Sequence, residues 1–389
     1  MTVRMGRRGI SAPAPSLESR TLAPHIGERE PHGQGGLIIA AEATSEPESP
    51  TYPMRASPPR ELPAQAYENT ARAGTARALN FAAWQETRLA MERSGIRMSP
   101  LGPRSRWKSL LFHSATQAFG VCVRWLGLQR RGVLNARAIE LSTVEFAWPN
   151  LPPAFSGYRI LQLSDTHFEA LPALAGDARR LLDGLEVDLI VLTGDFRTLT
   201  HGPFDRDLEP LGPLLEAVKS RDGVLAVLGN HDPASIVAAL EVLNITVLTN
   251  DSIALERGRE RVVVTGLDDV HHFYTESARH ALIRGTGEFK IALVHSPEVA
   301  DLAADAGYAL YLCGHTHGGQ VCLPGGHPIV THLTRHRFAA AGLWQFGQMT
   351  GYTSRGLGVS LPPVRFNCRG EVALITLRRQ SSGETLSGA

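Results

Sequence analysis

Two imidazoles stand two residues apart in YLCGHTHGGQ, residues 311–320, between an apolar run and a glycine pair. A stretch so rich in glycine does not hold a helix, so His315 and His317 belong to a loop. Taken alone, the pair fits an ordinary polar turn as well as a metal site. Four other short blocks carry side chains of matching chemistry. They are Asp165 and His167 in SDTH, Asp195 in TGDF, Asn230, His231 and Asp232 in GNHD, and His295 in VHSP. Carboxylates, imidazoles and one carboxamide, without a thiolate, suit Mn²⁺, Fe or Zn²⁺ better than a Cys-rich structural zinc site would. The donors are too many for one tetrahedral ion. Two ions about 3.5–4 Å apart, bridged by a carboxylate and a hydroxide, would use them all.

The elements that must position these residues read as buried strands. YRILQLSD, VDLIVLTGD, GVLAVLGNHD, FKIALVHSPE and YALYLCGHTH are short, nearly continuous apolar runs that each end in a polar tip. Helical patterns over 173–185, 208–220 and 233–243 separate several of them. Strands alternating with helices imply layered sheets with helices outside, and ligands gather at the carboxyl ends of such strands. Any one of these residues taken singly could cap a helix or satisfy the core. Their joint placement at successive strand ends is what argues for a site. Gly194, Gly229 and Gly314 fit the same picture, because each lets backbone pass close to an ion.

The 389 residues suffice for two domains. A net charge of +1 argues against a dedicated nucleic-acid binder. The four cysteines, Cys122, Cys313, Cys322 and Cys368, make no C-x-x-C pair and suggest buried thiols in a reducing compartment. Ten of the 25 prolines fall before residue 64, without apolar periodicity. Residues 1–97 therefore read as a mostly disordered extension, with room for a short helix over 79–91. RMGRR at residues 4–8 lacks the apolar run of an export signal, and Met91 or Met98 would serve as alternative starts. Residues 98–149 read as a basic amphipathic helix and a connecting strand, 150–380 as the chemical domain, and 381–389 as a disordered tail. Between Arg104 and Arg131 there are basic residues but no acidic one, and Leu111, Ala115, Ala118, Phe119, Cys122, Trp125 and Leu126 recur at helical spacing. His113, Gln117 and Arg124 interrupt the run, so it does not suit a membrane span. It suits a helix lying in a membrane interface, or one packed on the domain with its arginines solvated.

In order and spacing, DTH, GDF, GNHD, a lone histidine after an apolar strand, and GHTH resemble the calcineurin-like metallophosphoesterases over roughly residues 150–379. LPPAFSGYRILQLSDTHF, LVHSPE, GHTHGGQVCLPG and SRGLGVSLPPVRFNCRGEVALITL resemble a subgroup of membrane-associated bacterial phosphoesterases, some of which cleave UDP-2,3-diacylglucosamine on the way to lipid A. The resemblance implies a four-layer α/β/β/α sandwich of two mixed sheets. It implies two divalent ions, Mn²⁺ foremost with Fe or Zn²⁺ as alternatives. Asp165, His167 and His317 would hold one, Asn230, His295 and His315 the other, and Asp195 would bridge them. A hydroxide between the ions would attack phosphorus in line.

His231 would stabilise or protonate the leaving oxygen, and Asp232 would orient that imidazole or cap the following helix. Relatives often carry a second acidic or Asn residue after GD. Here the chain reads GDFRTLTHG, and Arg197 is a candidate contact for substrate phosphate. His271 and His272 in LDDVHHFY are candidates for the same wall, with a polar turn as the alternative. His327, His332, His336, Arg355 and Arg365 are further surface or structural candidates. The expected activity is hydrolysis of a phosphoester or pyrophosphate, in a lipid-linked substrate or in a small soluble diester. The location would be the cytoplasm or the inner face of its membrane, with contact through 104–131. A non-catalytic scaffold and a nuclease are the readings least favoured.

Overall fold

The computed structural model describes residues 4–9, 80–200 and 202–380. Most of the expected disordered extension and the whole expected tail lie outside the described residues. Seven strands form one mixed sheet in the spatial order Arg4–Gly9, Glu140–Trp148, Glu371–Arg379, Arg159–Leu163, Leu189–Thr193, Val224–Val227, Ile245–Val247. Six form the other, in the order Asp251–Arg257, Glu260–Gly266, Lys290–Leu293, Leu310–Cys313, Met349–Thr353, Gly342–Phe346. The six-stranded sheet has a parallel centre and an antiparallel pair at each end. The seven-stranded one is parallel from Arg159–Leu163 to Ile245–Val247, and antiparallel where Glu371–Arg379 meets Arg159–Leu163 and where Arg4–Gly9 meets Glu140–Trp148.

The apolar runs are continuous because both faces of each central strand are covered. Ile160, Leu189, Val191, Leu225 and Val227 point between the sheets, where they meet Val264, Ile291, Leu293, Leu310 and Leu312. Their neighbours Leu161, Leu163, Ile190, Leu192 and Ala226 point outward onto Leu174, Ala178, Leu182, Leu214 and Leu240 of the covering helices. On the far side, Ala292, Tyr311 and Cys313 pack under Ala278, Leu282, Ala300 and Ala303. The result is the expected α/β/β/α sandwich.

All three helices are shorter than expected, the third being Ile236–Val242. Gly184, at φ +72°, follows the helix Ala173–Leu182, and Leu185–Val187 is a short strand. The stretch 208–220 is not one helix. Pro210, which has no N–H to donate, separates Asp205–Leu208 from Leu211–Glu216, and Val218–Ser220 pairs with Leu185–Val187.

The extension is also less separate than its composition implies. Arg4–Gly9 is a strand antiparallel to Glu140–Trp148. A helix over 80–94 buries Trp84 and Arg88. The basic segment forms a helix, Arg106–Trp125, and a second, Gln129–Arg137. The second is seated closely. A Cβ on Gly132 would lie 2.5 Å from that of Val364, and Asn135 Nδ2 donates to the Arg365 carbonyl at 3.0 Å. The first touches the body through Gly120 and Val123, its two fully buried residues among those described. No described helix is long and apolar enough to cross a membrane.

Candidate metal centre

The parallel strands deliver their carboxyl ends to one place. Asp165, Asp195 and Asn230 follow neighbouring strands of the first sheet, and His295, His315 and His317 follow neighbouring strands of the second. One donor atom from each of Asp165, His167 and His317 falls within 4.8 Å of the others, and the same holds for Asp195, His295 and His315. Asp195 joins the two groups. Its Oδ2 is 3.3 Å from His295 Nε2 and 3.8 Å from His167 Nε2, while its Oδ1 accepts the His231 N–H at 2.9 Å.

Local backbone shape makes this convergence possible. Asp165, His167, Asp195, His315 and His317 all have φ between 38° and 73°, the left-handed region that non-glycine residues seldom occupy. Such strain persists only where surroundings over-determine it. Here Asp165 N–H donates to the Gly194 carbonyl at 2.9 Å, and the His315 N–H donates back to the Asp165 carboxylate at 3.1 Å. Close approach also requires glycine at two points. A Cβ at Gly229 would lie 2.1 Å from Asp195 Oδ1, and one at Gly314 would lie 1.9 Å from Ser164 Oγ.

Several of the donor atoms are buried without partners, which is the test of whether ions fit. His167 Nδ1 and Nε2, Asn230 Oδ1, His315 Nε2 and His317 Nδ1 have no hydrogen-bond partner among the described residues. Buried polar atoms are almost always paired, and five orphans in one cluster are atoms that a bound cation would satisfy. His295 Nδ1 is held to the Thr193 carbonyl at 2.7 Å, which turns Nε2 toward Asp195 and the site. Burial lowers His167 to about 4 and puts His315 and His317 well below the usual imidazole value. Those rings are therefore neutral, the form that binds cations. Burial also raises Asp165 to about 6. Asp195 moves the other way: burial would raise it, but the charges of His295 and His231 hold it well below. The donor set fits two divalent ions, with one proton to displace. Burial would lower His295, but Asp195 raises it to about 10, so an ion binding there must release the His295 proton.

Other expected residues divide. His231 borders the site, with its ring 5.5 Å from that of His167 and its Nδ1 2.5 Å from the Thr198 carbonyl. Asp232 does not orient His231, and it does not cap the helix, which begins at Ile236 after Ser235. Its carboxylate accepts the N–H groups of Asp195, Phe196 and Gly229 at 2.7–2.8 Å, so it shapes the loop that carries Asp195. Arg197 is buried, with Nε 3.4 Å from Asp207 and Nη1 donating to the Gly202 carbonyl at 3.0 Å. Its guanidinium faces its own chain. His271 lies against His315, ring centroids 4.0 Å apart, and His272 lies behind it at 4.8 Å. His332 is also near, 6.1 Å from His315. Arg365 is fully buried and donates to the carbonyls of His317, Arg355, Gly356 and Gly358, while Arg355 pairs with Glu140 and Glu371. His336 pairs with Asp301, and His327 is exposed.

Three participants escaped the sequence reading: Arg88, Arg104 and Glu298. Arg104 Nη2 meets both Glu298 oxygens at 2.7 and 2.9 Å and His271 Nδ1 at 2.8 Å. The contacts that tie Arg88 and Arg104 to the site span 144–194 residues, and no local pattern reveals such pairs. The Glu298 of LVHSPE, close behind a candidate ligand, was the one available signal.

The comparisons agree with this geometry. The sequence profile described as Calcineurin-like phosphoesterase matches residues 158–319. The Bacillus subtilis protein "Uncharacterized metallophosphoesterase YkuE" is 30% identical over 237 residues, covering 59% of this chain and 82% of that protein. The chain belongs to the calcineurin-like phosphoesterases. This phosphoesterase is also 30% identical to Escherichia coli "Phosphodiesterase YaeI", over 57% of its own length and 82% of the relative's. It is 29% identical to the Bos taurus "Transmembrane protein with metallophosphoesterase domain", over 64% of its own length and 59% of the relative's. The phosphoesterase is thus a metal-dependent hydrolase of phosphoester bonds, with the two donor groups as its candidate divalent-ion sites.

Proposed function

We propose that the chain hydrolyses a phosphoester or pyrophosphate bond at a pair of divalent ions, Mn²⁺ by preference. In this reading Asp165, His167 and His317 hold one ion, Asn230, His295 and His315 hold the other, and Asp195 touches both. The observation that carries it is Asp195 Oδ2, 3.3 Å from a nitrogen of one group and 3.8 Å from a nitrogen of the other. Ions bound there would acidify water between them and draw charge off a phosphoryl group.

The chain's own residues supply the remainder. The Thr198 carbonyl accepts from His231 Nδ1–H, so in the imidazolium form Nε2 carries a second proton that it can give to the departing oxygen. The hydrogen bond from His231 N–H to Asp195 Oδ1 ties this proton donor to the shared carboxylate. His271 and His272, beside His315, are the substrate contacts we favour; Arg197, engaged with Asp207, is set aside.

The substrate we favour is lipid-linked, of the UDP-2,3-diacylglucosamine type. Support comes from the helix Arg106–Trp125, which exposes Trp107, Leu111, Val121 and Trp125 beside the exposed arginines 124, 130 and 131. That combination suits the interface of an anionic membrane and a cytoplasmic, peripheral location. A second reading, a small soluble diester as substrate, is favoured by the name of the E. coli relative. The test is release of UMP from UDP-2,3-diacylglucosamine by Mn²⁺-loaded protein in detergent, with Asp195→Asn as the blank. Release that vanishes in the blank supports the lipid reading. Cleavage of bis(p-nitrophenyl) phosphate alone transfers support to the second, and cleavage of neither overturns both.

A further inference from the structure

The helix over 80–94 lies outside the matched family segment and reaches the back of the site with one buried arginine. Arg88 is 1% exposed. Its Nη2 donates to the Asp232 carbonyl at 2.6 Å, and its Nη1 pairs with the Asp268 carboxylate. Its Cζ lies 3.3 Å from the centroid of the Phe273 ring. Two neighbours on the same helix complete the contact. Trp84 Nε1 donates to the other Asp268 oxygen at 2.8 Å, and Glu92, bonded to Arg88 Nε at 3.1 Å, accepts the Ala234 N–H at 2.8 Å.

These contacts join two turns that no strand connects. Asp232 and Ala234 belong to the turn after Val224–Val227 in the first sheet, the turn that carries Asn230 and His231. Asp268 and Phe273 belong to the turn after Glu260–Gly266 in the second sheet, the turn that carries His271 and His272. The Asp268 carboxylate also accepts the Asp269 N–H, and Asp269 in turn accepts the N–H groups of His271 and His272. The candidate ligands come from both sheets, so the site's shape depends on how these turns are held. A guanidinium can donate to both at once in a fixed fork, which an ammonium cannot reproduce.

We propose that Arg88 is a positioning residue for hydrolysis. It staples the His231 turn of one sheet to the His271–His272 turn of the other, so the helix 80–94 is part of the working enzyme. The staple acts through the Asp232 carbonyl, one residue from the group that meets the leaving oxygen. The inference rests on the reading of His231 given above.

The test uses full-length, Mn²⁺-loaded protein and bis(p-nitrophenyl) phosphate. Arg88→Ala is expected to lower kcat at least about tenfold while KM changes little and two metal ions per chain remain, because the displaced group acts late in the reaction. Guanidinium ion at non-denaturing concentration should restore part of the lost kcat in Arg88→Ala and none in a His231→Ala control. A kcat within about twofold of native, or a loss that guanidinium does not relieve, overturns the staple. If Arg88→Ala does not fold, Asp268→Asn, which keeps shape and removes the paired charge, decides by the same kcat criterion. The His231→Ala control separates the two failures. Full activity there refutes the reading of His231, whereas an impaired His231→Ala beside an unimpaired Arg88→Ala refutes the staple alone.

Discussion

The metal centre and the helix Arg106–Trp125 are unsatisfied in opposite senses. Inside, polar atoms of His167, Asn230, His315 and His317 are buried without partners. Outside, Trp107 and Trp125 stand 76% and 85% exposed, with Leu111 and Val121 between them. The inner region is irregular, with five candidate ligands at positive φ, and each of its loops is tied by hydrogen bonds to another. The outer region is a regular 20-residue helix in which the buried residues, among those described, lie on one side. A buried polar atom without a partner costs about 1–3 kcal/mol, and an exposed tryptophan forgoes a comparable gain from burial. Under the reading proposed above, divalent cations would complete the first region and an apolar interface the second.

The inner half of this comparison breaks first at Asp195. We expect Asp195→Asn to abolish turnover of bis(p-nitrophenyl) phosphate and to lower bound metal below two ions per chain. Chelation of the native protein should do the same, with recovery on adding Mn²⁺. Normal activity with both ions bound in Asp195→Asn would sink the assigned geometry. The next largest effect belongs to His231→Ala, a loss of about 10²–10⁴-fold in kcat with metal content unchanged. A proton donor matters most when the leaving oxygen is basic. The loss should therefore be larger for an alkyl than for a p-nitrophenyl ester, and an equal loss for both would argue against proton donation.

How much of this was legible follows from sequence distance. The strands could be read because burial on both faces leaves unbroken apolar runs, and every candidate ligand sat at the end of one. Asp232 misled because the residue before Pro233 in GNHDP fits a local cap, whereas its actual acceptor role serves N–H groups of Asp195 and Phe196, 36–37 residues earlier. The split of 208–220 was foreshadowed by Pro210 and Pro213. The strand that follows was not, because Val218–Ser220 is extended only through its pairing with Leu185–Val187. Arg88 was hidden by a composition that marks the extension as unlike the domain it docks on, and Arg104 by a run of basic residues that reads as a solvated face.

Glu298 sharpens the contrast, being buried near the centre but fully engaged. It accepts from Arg104, His271 and both the N–H and hydroxyl of Thr334. Burial would raise its pKa, yet the hydrogen bond and charge of His271, with Arg104 and Thr334, lower it from 4.5 to about 2. A folded value below the unfolded one means stabilisation that is complete above about pH 4.5 and is lost as pH falls toward about 2. Glu298→Gln should therefore cost up to about 3 kcal/mol of unfolding free energy at pH 7, and the gap to native should narrow below about pH 4.5. Urea titrations at pH 7 and pH 3.5 check this. A gap that stays constant with pH would mean the loss is one of shape, not charge.

The smallest effect tests the outer half. Along the helix, Trp107, Leu111, Ala118, Val121 and Trp125 recur at spacings of three, four or seven, which aligns them on one face. Gly120 and Val123, the buried pair, lie on the opposite side. The helix thus docks by its small face and turns its apolar stripe away from the body, the reverse of what core packing alone would select. An interfacial helix needs that orientation, because lipid must reach the stripe while the domain stays in water. Trp107→Ser with Trp125→Ser should reduce co-sedimentation with phosphatidylglycerol vesicles several-fold and leave hydrolysis of bis(p-nitrophenyl) phosphate unchanged, since neither side chain approaches the metal centre. The reduction should persist at high salt, where the contribution of Arg124, Arg130 and Arg131 is screened. Binding that is abolished by salt and indifferent to the tryptophans would make the arginines the whole of the attraction. The parallel between the two regions would then fail, because the stripe would be left without anything to complete it.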